Sequence, residues 1–142
     1  MKEYLSTNKK QRKEIINKIQ QTLFKERGVI FAYVYGSFLN SPCFRDVDIG
    51  VYLRNVKKKL ISDFEIELTQ KISKNCDLPF DIIEVRVINF APYSFINNII
   101  RTGELLFSHD NTKLSALIER VSLKAIANEY LSRQSLKELL PA

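Results

Sequence analysis

The sequence contains few residues that interrupt secondary structure, form disulfide bonds or coordinate metal ions. It has four glycines, four prolines, two cysteines, one histidine and no tryptophan among 142 residues. So little glycine and proline excludes a collagen-like repeat and a long disordered segment. Cys43 and Cys76 form no C-x-x-C pair, and with His109 as the only histidine they exclude a zinc site at any usual ligand spacing. We expect both cysteines to be reduced thiols, as in most cytoplasmic proteins.

Long apolar runs are also missing. No stretch approaches the roughly 18 apolar residues of a membrane span. The first residues, Met1 to Tyr4, lead into a lysine-rich segment rather than an apolar one, which predicts that no signal peptide is present. The sequence therefore predicts a cytoplasmic protein without a membrane partner, and its length fits a single domain over residues 1–142.

Positive charge is in excess and unevenly placed. The formal net charge is +6, and the cations concentrate in residues 1–27 and 54–59. This pattern predicts attraction to a polyanion, which could be a nucleotide, an RNA or an acidic protein. A solvated helix face is the alternative reading, and the basic segment lacks the interleaved aromatic residues typical of single-strand binding.

Hydrophobic periodicity predicts four long helices and four strands. The predicted helices span 9–26, 61–74, about 92–101 and about 112–139, and the predicted strands span 29–35, 46–53, 80–85 and 105–107. This order predicts an α+β fold with a small mixed β-sheet flanked by helices. The last helix is apolar on two sides, so we expect it to lie at an interface with another chain.

Two carboxylates fall where folding alone would not place them. Asp46 and Asp48 are two residues apart on one predicted strand, so their side chains project from the same face. Like charges so placed repel, and a divalent cation such as Mg²⁺ offsets that repulsion directly. Asp81 opens the next apolar strand and would add a third carboxylate if the two strands are neighbours.

A Gly-Ser pair supplies the second half of the predicted site. Gly36 and Ser37 directly follow a buried strand, where the chain must turn. Glycine lets the backbone approach a ligand closely, and backbone N–H groups with a hydroxyl suit a phosphate. Arg45, beside Asp46, is a candidate for contact with a triphosphate, although an exposed arginine without a specific role explains it equally well. Together these residues predict phosphoryl or nucleotidyl transfer.

The motif Tyr35-Gly36-Ser37-Phe38 with Asp46-Val47-Asp48-Ile49 resembles the signature of the minimal nucleotidyltransferases (MNT-type antitoxins) of the DNA polymerase β superfamily. The likeness extends to Phe80-Asp81-Ile82-Ile83 and to the segment Arg101 to Phe107. The sequence departs from the family pattern in the loop of residues 38–45, which is short and lacks glycine.

The resemblance implies an ATP-dependent enzyme with two Mg²⁺ ions, or Mn²⁺ in their place. It assigns Gly36 and Ser37 to nucleotide binding, and Asp46, Asp48 and Asp81 to metal binding and catalysis. It also implies a HEPN-type toxin as partner, with AMP transferred to a tyrosine of that toxin.

Three functions stay open at this point. The first is the protein adenylyltransferase that acts as an antitoxin. The second is an antitoxin that neutralises its partner by contact alone, and the third is nucleotidyl transfer to a small molecule or an RNA end. A homo-oligomer is also open, and binding of nucleic acid is not favoured.

Overall fold

The computed structural model describes residues 5–139. Its helices are α1 (Lys9–Phe24), α2 (Ser37–Asn40), α3 (Ile61–Cys76), α4 (Tyr93–Thr102) and α5 (Asn111–Leu139). Its strands are β1 (Leu5–Ser6), β2 (Val29–Tyr35), β3 (Cys43–Phe44), β4 (Val47–Leu53), β5 (Ile83–Val87) and β6 (Glu104–Ser108). The predictions made on residues 1–4 and on Pro141 lie outside the described part of the chain.

The main sheet has four strands in the order β5-β4-β2-β6. Strand β2 pairs antiparallel with β4 and with β6, whereas β4 pairs parallel with β5. Strand β2 reads as a continuous apolar run because all seven of its residues are buried. The predicted mixed sheet flanked by helices is confirmed.

Each face of the sheet has its own apolar core. One face packs against α1 and α3, with Ile19 and Leu23 of α1 and Ile72 of α3 fully buried. The opposite face packs against α4 and α5, where Ile99 and Leu117 are buried. Because helices cover both faces, the residues that bind a substrate must lie at an end of the strands rather than on an open face.

Helix α1 begins at a capping box. The Asn8 side chain accepts a hydrogen bond from the Gln11 N–H at 2.8 Å, and the Gln11 side chain accepts one from the Asn8 N–H at 3.0 Å. Asn8 is therefore the N-cap of the helix. The helix ends at Phe24, two residues before the predicted end.

The predicted third strand, residues 80–85, is wrong at its start. Phe80–Ile82 form a 3₁₀ turn, with the Ile82 N–H donating to the Pro79 carbonyl at 3.3 Å, and β5 begins only at Ile83. The apolar residues at 80 and 82 suggested a strand, but Pro79 lacks a donor and starts a turn instead. This shift by three residues changes which carboxylate faces Asp48.

Helix α5 extends well beyond the core. Leu114, Leu117 and Val121 are buried against α4, but the second half of the helix exposes large apolar side chains. The exposed fractions are 59% for Leu123, 64% for Ile126, 60% for Tyr130 and 61% for Leu131. Among the described residues, no helix is long and apolar enough to cross a membrane.

Candidate active site

The chain bends sharply at Gly36, where β2 gives way to α2. Gly36 has a φ of +82°, a conformation that L-residues with a side chain rarely adopt. A Cβ at this position would also collide with Oδ2 of Asp48. Glycine is therefore required twice here, for the backbone conformation and for the close approach of a carboxylate.

Ser37 opens α2 and is exposed next to this bend. The short helix is fixed by backbone bonds, with the Leu39 N–H donating to the Gly36 carbonyl at 3.1 Å and the Ser41 N–H to the Ser37 carbonyl at 2.9 Å. Arg12 of α1 reaches across to donate from Nη1 to the Leu39 carbonyl at 3.3 Å. These hydrogen bonds fix the bend and α2. Ser37 is exposed, so its hydroxyl is accessible to a ligand.

Asp46 and Asp48 lie at the start of β4, on the same face of that strand. Asp48 is paired with Tyr35, the last residue of β2, so it stands directly beside the Gly36 bend. Both aspartates are half-buried, while the alternating Val47 and Ile49 are fully buried on the opposite face. The strand period of two therefore brings the two carboxylates together, as the sequence predicts.

The residue that faces Asp48 from the neighbouring strand is Glu84. The parallel register of β4 and β5 pairs Asp48 with Glu84, and the two carboxyl groups share a hydrogen bond. Asp81 lies in the exposed 3₁₀ turn before β5, three residues earlier. The prediction of a strand at Asp81 is therefore wrong, because the strand starts later than the apolar pattern indicates. The role of Asp81 as a third carboxylate of the site stays a prediction.

The carboxylates change one another's acidity. Burial is the first cause that raises the pKa of Asp48 from its ordinary value to about 7. The hydrogen bond to Glu84 and the negative charges of Glu84 and Asp46 raise the pKa further, while Arg86 lowers it. Such a cluster is costly when it is fully ionised, and a divalent cation or a proton relieves the repulsion.

Sequence reasoning missed two residues on β5, Glu84 and Arg86. They alternate with the buried Ile83, Val85 and Val87, so a strict period-two reading of Ile83–Val87 would have found them. Arg86 also lies over the ring of Phe95, with its guanidinium carbon 5.9 Å from the ring centre. The positive charge of Arg86 lowers the pKa of Asp48 and so partly offsets the effect of the neighbouring carboxylates.

Gly103 is a second position at which a side chain would clash with nearby backbone atoms. A Cβ there would lie 2.6 Å from the Ile99 carbonyl oxygen and 2.9 Å from the Val34 carbonyl oxygen. Glycine therefore allows α4 to end against β2, one residue before the end of that strand. Helix α4 therefore ends at Thr102, and Gly103 leads into β6.

The donor set fits a hard divalent cation. Asp46, Asp48 and Glu84 offer only carboxylate oxygens, which Mg²⁺ and Mn²⁺ prefer. Across residues 5–139 no three side chains of metal-binding type stand preassembled around one point. The fit to a cation therefore rests on two observations. Asp48 and Glu84 are paired in the strand register, and the negative charges of Glu84 and Asp46 raise the pKa of Asp48, a repulsion that a cation would relieve. Arg45 is exposed beside Asp46, within the same short loop.

The comparison with protein families agrees with this geometry. The family model described as "Polymerase beta, Nucleotidyltransferase" matches residues 17–112, more than half of the chain. The chain belongs to this nucleotidyltransferase family. The match covers the Gly36-Ser37 bend, both aspartates of β4 and Glu84, and it confirms the resemblance read from the sequence motif. No curated protein sequence is significantly similar to the chain.

Solved structures share the fold at low sequence identity. A chain of the tri-AMPylated Shewanella oneidensis HEPN toxin in complex with MNT antitoxin is 16% identical, with a TM-score of 0.60, and the match covers 89% of this chain and 96% of that one. A chain of the toxin–antitoxin MntA–HepT is 17% identical, with a TM-score of 0.59 and the same two coverages. A toxin–antitoxin structure with AMP-PNP is 17% identical, with a TM-score of 0.62 and coverages of 87% and 95%. At these identities the likeness shows the fold alone.

Proposed function

We propose that this chain is a Mg²⁺-dependent nucleotidyltransferase that transfers AMP from ATP to a hydroxyl of a HEPN-type toxin and acts as its antitoxin. The observation that carries the proposal is the pairing of Asp48 with Glu84 beside the Gly36-Ser37 bend, with the charge of Asp46 close enough to raise the pKa of Asp48. Carboxylates facing a backbone turn with a free serine hydroxyl are the arrangement that nucleotidyl transfer needs. Glu84 takes the place that the sequence assigned to Asp81.

Each group has a task in this chemistry. The backbone of Gly36 and the hydroxyl of Ser37 bind the triphosphate, with Arg45 near enough in the loop to add positive charge. Asp46, Asp48 and Glu84 would hold Mg²⁺, which supplies charge neutralisation for the phosphates and the leaving group. Tyr35, which is paired with Asp48, and Gly50, two residues further along β4, are both buried.

The transfer step balances as a displacement at phosphorus. The acceptor oxygen forms a bond to the α-phosphorus of ATP, the bond from that phosphorus to the bridging oxygen breaks, and pyrophosphate leaves with the electron pair. The proton of the acceptor hydroxyl passes to a carboxylate at the mouth of the site. Glu84 lies on the edge strand β5, and we assign the role of proton acceptor to it.

Two features support a protein as the acceptor. The second half of α5 exposes Leu123, Ile126, Tyr130 and Leu131, an apolar surface of the kind that marks protein interfaces. The solved structures with the same fold include a toxin that carries AMP groups and is bound to its MNT antitoxin. A second chain that covers α5 would bring its own hydroxyl to the site.

The test is a labelling experiment with three components. The chain, Mg²⁺ and ATP labelled at the α-phosphate are incubated with a candidate HEPN-type protein, and the label is located by gel and mass spectrometry. We expect label on a tyrosine of the HEPN-type protein, and none with Asp48→Asn. Label on RNA or on a small molecule would assign a different acceptor. Neutralisation of the toxin by Asp48→Asn without any label would show an antitoxin that acts by contact alone.

A further inference from the structure

A groove lies between the first part of α1 and the edge strand β6. It has a volume of about 360 Å³ and lies next to Lys9, Arg12 and Lys13. A second pocket of about 370 Å³ shares Asn17 and Gln20 with it, but that pocket is lined by residues 17–25 alone and does not extend the groove along β6.

The lining of this groove is strongly cationic. Lys9, Arg12 and Lys13 line it, and Glu104 is the sole acidic residue among its lining residues. The dipole of α1 disfavours lysines in its first turn, so these cations do not stabilise the helix by that effect. The nearby Glu26 is occupied by Lys71 of α3, at 2.7 Å, and does not line the groove.

The floor of the groove is apolar. The floor is formed by Ile16, Leu39, Leu105 and Leu106. Leu105 is 41% exposed although it belongs to a strand. The lining of this cationic end includes no aromatic side chain on which a nucleic-acid base would stack. Cations around an apolar floor favour a polypeptide that combines acidic and apolar side chains over a single-stranded nucleic acid.

The cationic end of the groove adjoins the catalytic bend. Leu39 belongs to α2, which begins at Ser37, and Arg12 is hydrogen-bonded to its carbonyl. Glu104 is paired with Val34, one residue before the end of β2. A segment that lies in the groove therefore emerges beside Gly36 and Ser37.

We propose that this groove binds an acidic, amphipathic segment of the protein that accepts the nucleotidyl group. Carboxylates of the segment lie against Lys9 and Lys13, its apolar side chains cover Leu105 and Leu106, and the acceptor hydroxyl follows at the cationic end. The inference rests on the proposed function, because it names the surface by which that function selects its acceptor.

Charge reversal tests the groove with a matched control. Affinity for the candidate HEPN-type protein is measured by calorimetry without ATP, for the Lys9→Glu/Lys13→Glu variant and for Lys57→Glu/Lys59→Glu. All four lysines are exposed, and the second pair lies beyond the other end of β4. We expect the groove variant to bind at least about 10-fold more weakly and the control to change less than about 3-fold. Wild-type affinity should also fall with added salt.

Two further measurements separate this inference from the proposed function. Asp48→Asn should bind the HEPN-type protein as wild type does and transfer no label, whereas the groove variant should transfer label again when that protein is in large excess. If the wild type binds the HEPN-type protein normally but transfers no label, the proposed function is wrong and the groove assignment stands. Equal affinity of the groove variant and the control, no binding by wild type, or tighter binding of a single-stranded RNA oligonucleotide would each overturn the groove assignment.

Discussion

The two faces of β4 meet opposite requirements. Its odd-numbered residues, Val47, Ile49 and Val51, are fully buried against α1 and α3 and stabilise the fold. On the other face, Asp48 is half-buried and paired with Glu84, and Asp46, the residue before the strand, is half-buried as well. The alternation of side chains along one strand thus separates the groups that stabilise the fold from the groups that we propose carry the chemistry.

The largest effect is expected on the polar face. Asp48→Asn keeps the shape of the side chain but removes a charge from the centre of the cluster, so we expect nucleotidyl transfer to fall by at least about 1,000-fold, since a lost metal ligand costs several kcal/mol. The free energy of unfolding without metal should stay equal or increase, because the repulsion from Glu84 and Asp46 is relieved. Rates of label transfer and urea unfolding curves measure the two quantities. If Asp48→Asn is inactive because it is unfolded, the claim that this face carries chemistry rather than stability is contradicted.

The buried face should respond in the reverse way. Ile49→Ala leaves a cavity at a fully buried site, and we expect a loss of about 2–5 kcal/mol in the free energy of unfolding. Ile49→Val, the milder control, should lose about 0.5–1.5 kcal/mol. Below the unfolding transition both variants should transfer label at close to the wild-type rate. A large drop in rate in the folded state would show that the two faces are not separate.

Gly36 joins the two regions, and its substitution should harm both. We expect Gly36→Ala to cost about 1–3 kcal/mol in stability, because alanine is strained at a φ of +82°. It should also lower transfer by about 100-fold, since the new Cβ displaces the Asp48 carboxylate. Gly28→Ala is the matched control, because a Cβ there meets nothing within 4 Å. Equal effects of the two substitutions would refute the special role of the bend.

A dependence on pH is also expected. Burial first, and then Glu84, raise the pKa of Asp48 to about 7, above its value of 3.8 in an unfolded chain. A raised carboxyl pKa means that the folded state favours the protonated form, so this contribution is present in full below about pH 4 and is lost as the pH rises through 7. Without divalent cations, wild type should lose stability relative to Asp48→Asn over that interval. Parallel pH profiles of the two proteins, measured by urea unfolding, would exclude the shift.

Local patterns were sufficient for most of the fold. The apolar run Val29–Tyr35, the helical stripe of α3 and the break at Gly103 each depend on a periodicity or a backbone property of the chain itself. The pairing of β1 with β3 and the short α2 were not predicted, because two-residue strands and a four-residue helix leave no periodic signal. These elements nevertheless form the loop that carries Ser37.

The candidate site was predictable only in part. Gly36 and Ser37 could be placed beside Asp46 and Asp48 because the first pair follows β2 and the second pair lies where its neighbour β4 begins. The residue paired with Asp48 depends on the register between β4 and β5, which neither segment sets alone. The three-residue turn at Phe80–Ile82 places Asp81 before β5, so that Glu84 is the register partner of Asp48.

The most direct test of the account is a titration with Mn²⁺ in the presence of a non-hydrolysable ATP analogue, followed by calorimetry or electron paramagnetic resonance. The account predicts that wild type and Asp81→Asn bind the metal alike, whereas Asp48→Asn and Glu84→Gln bind it at least about 10-fold more weakly. Loss of metal binding in Asp81→Asn together with normal binding in Glu84→Gln would contradict the convergence of Asp46, Asp48 and Glu84 on which the proposed function depends.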